Sequence, residues 1–330
     1  MIIGLPNDTS DKADILNLID ADFTFVEIDF DIQNGIPKTN VDAILLDGTY
    51  TLGASNYSIL KSLGVPILGQ PRLSKLEQHI YFRSRGINCP DFWNTSSKNG
   101  FRLTSLMEGV DPETQLIVKS QFGARGLQQF LIKKSELVRI MYDGEAPKKK
   151  EPFSRKESPS VELLEIKTYR DEVATNSILG GSEKPEDISR SRNFRESRDF
   201  SNWLITKRIF LKNEYRVISF CTGELLICER HINLKHFQNN LAVGSEVTFL
   251  GEGETLKSSF LALLKALAGT LHTDFRNNPW FSMDVYVDQD DKVGLFEFAT
   301  EFGINALDHD MLRAKAIKAI HSLVPNRSSK

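Results

Sequence analysis

Residues 1–70 alternate short apolar runs with segments whose apolar residues recur at helical spacing, and that alternation restricts the chain more than any other feature. IIGL (2–5), FTFVEIDF (23–30), VDAILLDG (41–48) and VPILGQ (65–70) have the length and composition of strands. DKADILNLID (11–20) and NYSILKSLG (56–64) fall between them with helical periodicity, the second ending at Gly64. Strands alternating with helices predict a small parallel α/β unit. No GxGxxG follows the first strand, which weakens a dinucleotide-binding reading.

Beyond residue 70 the pattern changes. Ser74 and Glu77 have the S-x-x-E spacing of a capping box, and Gly86 stands where a helix begun there would end, so a capped helix is predicted. Strand-like stretches follow at QLIVKS (115–120) and QQFLI (128–132). Residues 143–202 are rich in Lys, Arg, Glu, Ser and Pro. So little apolar surface cannot offset chain entropy, and the segment is expected to be a polar insertion or mobile lid, with a solvated loop as the alternative. From Trp203 the chain reads as two hairpins and two helices. Leu256, Phe260, Leu263, Leu264, Leu267 and Leu271 form a helical stripe assigned to the core, and MLRAKAIKAIHSLV (311–324) is a similar helix.

A chain of 330 residues with 40% apolar and 26% charged composition has room for about two buried cores. No segment has the apolar length of a membrane span, and the N-terminus lacks the pattern of a secretory signal. A net charge of −3 gives no reason to expect nucleic acid. Cys89, Cys221 and Cys228 have no CxxC spacing and suit packed thiols in a reducing cytoplasm. His231 and His236 lie outside any HExxH pattern.

Three segments carry chemistry. In IVKSQFGARGLQQFLI (117–132) a strand delivers Lys119 to a loop containing Gly123 and Gly126. Glycines let backbone amides approach phosphate oxygens, and Lys119 and Arg125 add positive charge; a plain hairpin with a glycine turn is the alternative. NEYRVISFCTGELLICERH (213–231) reads as a hairpin turning at Gly223. A three-residue turn at 222–224 sets Arg216 opposite Arg230, which is repulsive unless an anion lies between them; a two-residue turn pairs Arg216 with Glu229. In FSMDVYVDQDDKVGLFEFATEFG (281–303), a four-residue turn at 289–292 sets Asp284 opposite Glu297. A divalent cation would relieve the cost of that pair. The aspartates at 288, 290 and 291 are assigned to an exposed turn.

The order of these pieces, through SKLEQHIYFRSRGINCPDFW (74–93), VKSQFGARG (118–126), NEYRV (213–217) and DVYVDQDDKVGLFEF (284–298), resembles the ATP-grasp superfamily. Its carboxylate–amine ligase branch, with glutathione synthetase and the ribosomal-protein glutamate ligases, is the most similar. The resemblance covers about residues 70–325 and implies an α/β (α+β) ATP-grasp fold. Residues 1–70 would form a small parallel α/β domain before the grasp, and 71–330 the grasp domain with 143–202 inserted. It implies ATP and Mg²⁺ as cofactors, small-molecule carboxylate and amine substrates (an amino acid, a peptide or a protein terminus), and amide formation through an acylphosphate. A nucleotide-binding regulatory protein without turnover is the alternative, and homo-oligomerisation is left open. By the same resemblance Lys75 and Lys119 match phosphate-binding lysines, and Gly123, Ala124, Arg125 and Gly126 match the phosphate loop. Lys207 and Ile209 in LITKRI (204–209) match backbone contacts to adenine, and Glu214 the acid on the ribose. Arg216 and Arg230 match arginines near the transferred phosphate and acyl substrate; Asp284 and Glu297 match metal ligands. The sequence departs from the pattern in two places. Ala299 replaces the expected Asn two residues after Glu297, leaving Glu301 or Asn305 to supply that oxygen, and Thr206–Lys207 replace a Gln–Glu pair.

Overall fold

A computed structural model describes residues 1–6, 22–28, 40–46, 60–71, 73–94, 107–121, 129–142, 203–232, 247–250, 256–300 and 309–324, together with Ile19 and Tyr57. The segment 143–202, most of the helix expected at 11–20, the loop Gly123–Ala124–Arg125–Gly126, and His236, Glu301 and Asn305 lie outside the described residues.

The N-terminal strands β1 (Ile2–Pro6), β2 (Thr24–Ile28), β3 (Ala43–Leu46) and β4 (Ile67–Gly69) form the predicted parallel sheet, ordered β2-β1-β3-β4. All four residues of β3 are buried, as expected of a strand covered on both faces. Alternation sends Ile44 and Leu46 to a cluster with Ile28, Val41, Leu60 and Ile67. Ala43 and Leu45 join Ile3, Leu5 and Leu68 in a second cluster.

Helix α1 (Lys75–Ser84) begins at the predicted capping box. Glu77 N–H donates to Ser74 Oγ at 3.2 Å and Ser74 N–H to Glu77 Oε2 at 2.7 Å. Gly86 follows the C-cap with φ +67°, the left-handed geometry that glycine tolerates. The antiparallel sheet β5-β8-β6-β7 comprises β5 (Phe92–Trp93), β6 (Gln115–Ser120), β7 (Gln129–Lys133) and β8 (Trp203–Lys207). Its core holds Leu116, Val118, Ile132 and Ile205, joined by Leu137 of α2 (Lys134–Tyr142). Period 2 along β6 therefore turns Lys119 to the opposite face. Neither α2 nor the short strand β5 was anticipated from sequence.

The third sheet, ordered β11-β10-β9-β12-β13, contains β9 (Leu211–Phe220), β10 (Leu225–Arg230), β11 (Val247–Leu250), β12 (Trp280–Asp288) and β13 (Val293–Ala299). On one face Tyr215, Val217, Phe281, Met283 and Val285 pack with Leu264, Ala268 and Leu271 of α3 (Ser258–Asp274). The buried line of α3 thus follows i, i+4, i+7. It departs from the expected stripe at Leu263, which is 39% exposed.

The other face changes character along its length. Ile218, Phe220, Leu226, Cys228 and Trp280 are buried with Ile3, Leu5 and Leu68 of the parallel sheet and with Leu312, Ala316 and Ile320 of α4 (His309–Leu323). Further along the same face the side chains become charged. The parallel and five-stranded sheets therefore share one core. No described helix is long and apolar enough to cross a membrane. Cys89, Cys221 and Cys228 are free thiols.

Candidate active site

Turn geometry decides which charged side chains meet. In the first hairpin Phe220 N–H donates to Glu224 O at 3.0 Å and Gly223 N–H to Phe220 O at 2.9 Å. The loop is thus three residues long but spans 221–223, not 222–224, with Gly223 at φ +90°. This one-residue displacement shifts the ladder from both expected registers: Arg230 pairs with Glu214, and Arg216 with Cys228. Arg216 and Arg230 remain on one face because they lie on alternating positions of that face.

In the second hairpin Asp284 is opposite Glu297, as expected, but by a different route. Asp288 N–H donates to Lys292 O at 3.0 Å, so the turn has three residues, with Asp291 at φ 60°. An irregularity between Asp284 and Val285 leaves Phe296 unpaired and restores the Asp284–Glu297 match.

The result is a connected chain of charges. Arg230 Nη1 donates to Glu214 Oε1 at 2.6 Å, and Arg230 Nη2 lies 3.1 Å from Asp284 Oδ1. Arg216 Nε approaches the same Oδ1 at 2.6 Å, Arg216 Nη2 donates to Asp284 Oδ2 at 3.3 Å, and Arg216 Nη1 donates to Ser282 Oγ at 2.9 Å. The Nε–Oδ1 approach lacks hydrogen-bond alignment, and neither atom has another hydrogen-bond partner among the described residues. Glu214, Arg230 and Asp284 are buried. Burial lowers the Arg216 pKa against the pull of Asp284; at Arg230 burial also opposes the charge, but Asp284 and Glu214 outweigh it and the pKa rises. Both guanidiniums stay charged throughout.

Lys75 and Lys119 face this row and are both buried. The Lys75 amide donates to Gln121 O at 3.0 Å, tying the start of α1 to the end of β6. Lys75 Nζ lies 4.0 Å from Glu297 Oε2. Gln78, also buried, accepts from Phe298 N–H at 2.9 Å and donates to Leu73 O at 3.0 Å, fastening α1 to β13. Burial and then the Lys75 charge bring the Lys119 pKa down to about 8. Burial and a neighbouring cation both disfavour the ammonium, and a nearby negative charge favours it.

One turn after Lys75, His79 is fully buried and its Nδ1 lies 2.8 Å from Lys75 O. A carbonyl only accepts, so Nδ1 carries the proton. Burial, reinforced by Lys119, lowers the His79 pKa to about 3, and the ring is neutral. Sequence reading missed His79, Gln78 and Ser282. The i, i+4 relation of Lys75 to His79 and the i, i+2 relation of Ser282 to Asp284 were the available signals.

At the expected hinge, Lys207 N–H already donates to Asp91 O at 2.8 Å. The Lys207 amide is therefore engaged within the fold. No hydrogen bond of the Ile209 amide occurs among the described residues. The structure brings Lys75, Lys119, Glu214, Arg216, Arg230, Asp284 and Glu297 together. The loop 123–126 lies outside the described residues.

The donor set fits a Mg²⁺ ion unevenly. The Glu297 side chain keeps 33% of its surface exposed and suits a cation shared with nucleotide phosphates. Asp284 is covered by two guanidiniums. Ala299, opposite Ser282, has no side-chain oxygen to contribute. Among the described residues, no group of three or more His, Cys, Asp or Glu is placed to hold a metal.

No family model matches the chain, and no curated protein matches it. Solved structures do. D-alanyl-alanine synthetase A from Vibrio cholerae aligns with a TM-score of 0.60 at 11% identity, over 98% of each chain. A RimK domain protein ATP-grasp from Sphaerobacter thermophilus aligns at 0.54 and 13% identity, over 98% of this chain and 99% of that one. The RiPP-associated ATP-grasp ligase of Chryseobacterium gregarium, in complex with ADP and a leader and core peptide, aligns at 0.53 and 12% identity, over 98% and 97%. This chain has the ATP-grasp fold.

Proposed function

We propose that the protein is an ATP- and Mg²⁺-dependent carboxylate–amine ligase. The observation carrying this reading is the convergence of Lys75, Lys119, Arg216 and Arg230 on one charged face, with both lysines and Arg230 buried. Such a cluster invites a polyanion, because burying cations costs free energy that an anionic ligand recovers. Lys119 belongs to one antiparallel sheet and Arg216 to the other, and a nucleotide's phosphates held between them would meet both charges.

Lys75 and Lys119 bind phosphate oxygens, with the amides of Gly123, Ala124, Arg125 and Gly126 as further donors. The Lys207 carbonyl and the Ile209 amide face adenine, and Glu214 accepts from the ribose hydroxyls while bracing Arg230. Glu297 would hold Mg²⁺ together with the nucleotide, and the ion would supply neutralisation of phosphate charge. A substrate carboxylate oxygen attacks the γ-phosphorus, and the bond to ADP breaks. An amine then attacks the acyl carbon, phosphate leaves, and the amine gives up a proton to form the amide. Arg216 and Arg230 orient the transferred phosphoryl and the acyl group, so catalysis rests on positioning and charge neutralisation. The substrates are small carboxylates and amines, a peptide included, and the domains run 1–70 and 71–330.

A screen for ADP release across amino acids and peptides as donors and acceptors tests the reading. ADP release dependent on both partners supports it. Nucleotide binding with no turnover under any pair supports the regulatory alternative, which the oxygen-free Ala299 position favours.

A further inference from the structure

Asp284 and Glu297 are cross-strand partners in different company. Glu297 keeps a third of its side chain in solvent and lies 4.0 Å from Lys75; Lys119, Arg216 and Arg230 also feel its charge. Asp284 is only 8% exposed. Arg216 engages both of its oxygens, and Arg230 lies 3.1 Å from Oδ1. Each arginine is also held on its far side, Arg230 by Glu214 at 2.6 Å and Arg216 by Ser282 at 2.9 Å. The arrangement is therefore a braced network with Asp284 at its centre.

A Mg²⁺ ion seated on Asp284 would stand within contact range of two fixed guanidinium charges. Mg²⁺ also demands near-octahedral oxygen ligation at about 2.0–2.1 Å and dehydrates reluctantly; Asp284 offers it no oxygen clear of arginine. Nor is there a replacement donor at the neighbouring position of that face, where Ala299 presents a methyl opposite Ser282. The face nevertheless carries positive charge of its own, on Arg216 and Arg230.

We propose, resting on the nucleotide-binding reading above, that the site takes a single divalent cation with the nucleotide, through Glu297. Asp284 is a positioning residue that aims Arg216 and Arg230 at the transferred phosphoryl group, and the two guanidiniums do the work of a second cation. Mg²⁺ sites that use one carboxylate plus substrate phosphates are chemically sufficient for this. The arrangement also predicts that metal binding and arginine placement are separable by mutation.

The test titrates Mn²⁺ into the full chain at saturating ADP and reads free Mn²⁺ by electron paramagnetic resonance, corrected for ADP alone. About one protein-dependent Mn²⁺ per chain is expected, and Glu297→Gln should lose it. Asp284→Asn should keep the wild-type Mn²⁺ stoichiometry and affinity while kcat for ADP release falls by about 10²-fold at unchanged KM for ATP. A merely structural Asp284 would leave kcat of the folded fraction intact. Ala299→Asp adds an oxygen beside Glu297 and should raise the stoichiometry towards two. Two Mn²⁺ ions in the wild type, or loss of Mn²⁺ in Asp284→Asn matching that in Glu297→Gln, overturns the proposal. Should Asp284→Asn fail to fold, the wild-type and Ala299→Asp stoichiometries decide. Absence of ADP binding to the wild type overturns the nucleotide reading itself, and this inference with it.

Discussion

Burial and the neighbouring Lys75 charge together bring the Lys119 pKa down from 10.5 to about 8, which has two consequences of opposite sense. Between pH 8 and 10.5 the unfolded chain binds more protons at this lysine than the folded one, so its contribution to stability improves as pH rises through that window. Anion binding requires the ammonium, so ADP affinity should fall as pH rises through about 8. Calorimetric titration at pH 7 and pH 9 checks this. Lys119→Ala should weaken ADP binding by about 1.5–3 kcal/mol, the size of a hydrogen bond to a charged group, and abolish the pH dependence without unfolding the chain. His79 behaves differently. Its pKa lies near 3 against an ordinary 6.5, so below pH 6.5 the unfolded chain binds a proton that the folded chain refuses. Stability is lost as pH falls from 6.5 towards 3. His79→Gln should flatten that acid limb in urea denaturation curves measured at pH 4 and pH 6.

At the scale of elements, the site depends on how α1 and two hairpin turns are made. Ser74→Ala removes the side-chain half of the capping box and should cost about 1 kcal/mol, read as a lower urea midpoint with an unchanged slope. The same change frays the turn that carries Lys75, so ADP binding should weaken with it. Gly223→Ala meets no neighbour within 4 Å but sits at φ +90°, so its cost, about 1–2 kcal/mol, is conformational. These elements were also the legible ones. The S-x-x-E spacing announced α1, and alternation announced the strands, because both depend on interactions a few residues apart. Register was less legible. The Arg216–Arg230 and Arg216–Glu229 pairings both failed because the loop lies at 221–223, where the path of one backbone carbonyl decides the ladder. The Asp284–Glu297 pairing came out as expected only because a bulge at Phe296 offset a shorter turn. The hydrogen bond that Gln78 accepts from Phe298 N–H was invisible to local reading, since it joins residues far apart in sequence.

At the scale of the molecule, the parallel sheet and the five-stranded sheet share the core containing Leu5, Leu68, Ile218, Trp280 and Leu312. Apolar patterning marked the elements that carry Leu5, Leu68, Ile218 and Leu312 but not that they meet, and Trp280 was not marked at all, because sheet-on-sheet contact is fixed by topology. Trp280 is 1% exposed and donates from Nε1 to Thr300 O at 2.7 Å. Trp280→Ala should cost about 3–5 kcal/mol and lower the melting of both sheets together, which hydrogen exchange resolves by segment. That shared core leaves the charged half of the same face for the proposed nucleotide site, and the most direct test is a calorimetric titration of ADP with Mg²⁺ into the full chain. A nucleotide site predicts saturable binding, weakened by about 1.5–3 kcal/mol in Lys119→Ala, with thermal stabilisation of about 2.7 kcal/mol at 100 times the dissociation constant. Absence of heat and of stabilisation at millimolar nucleotide would contradict it.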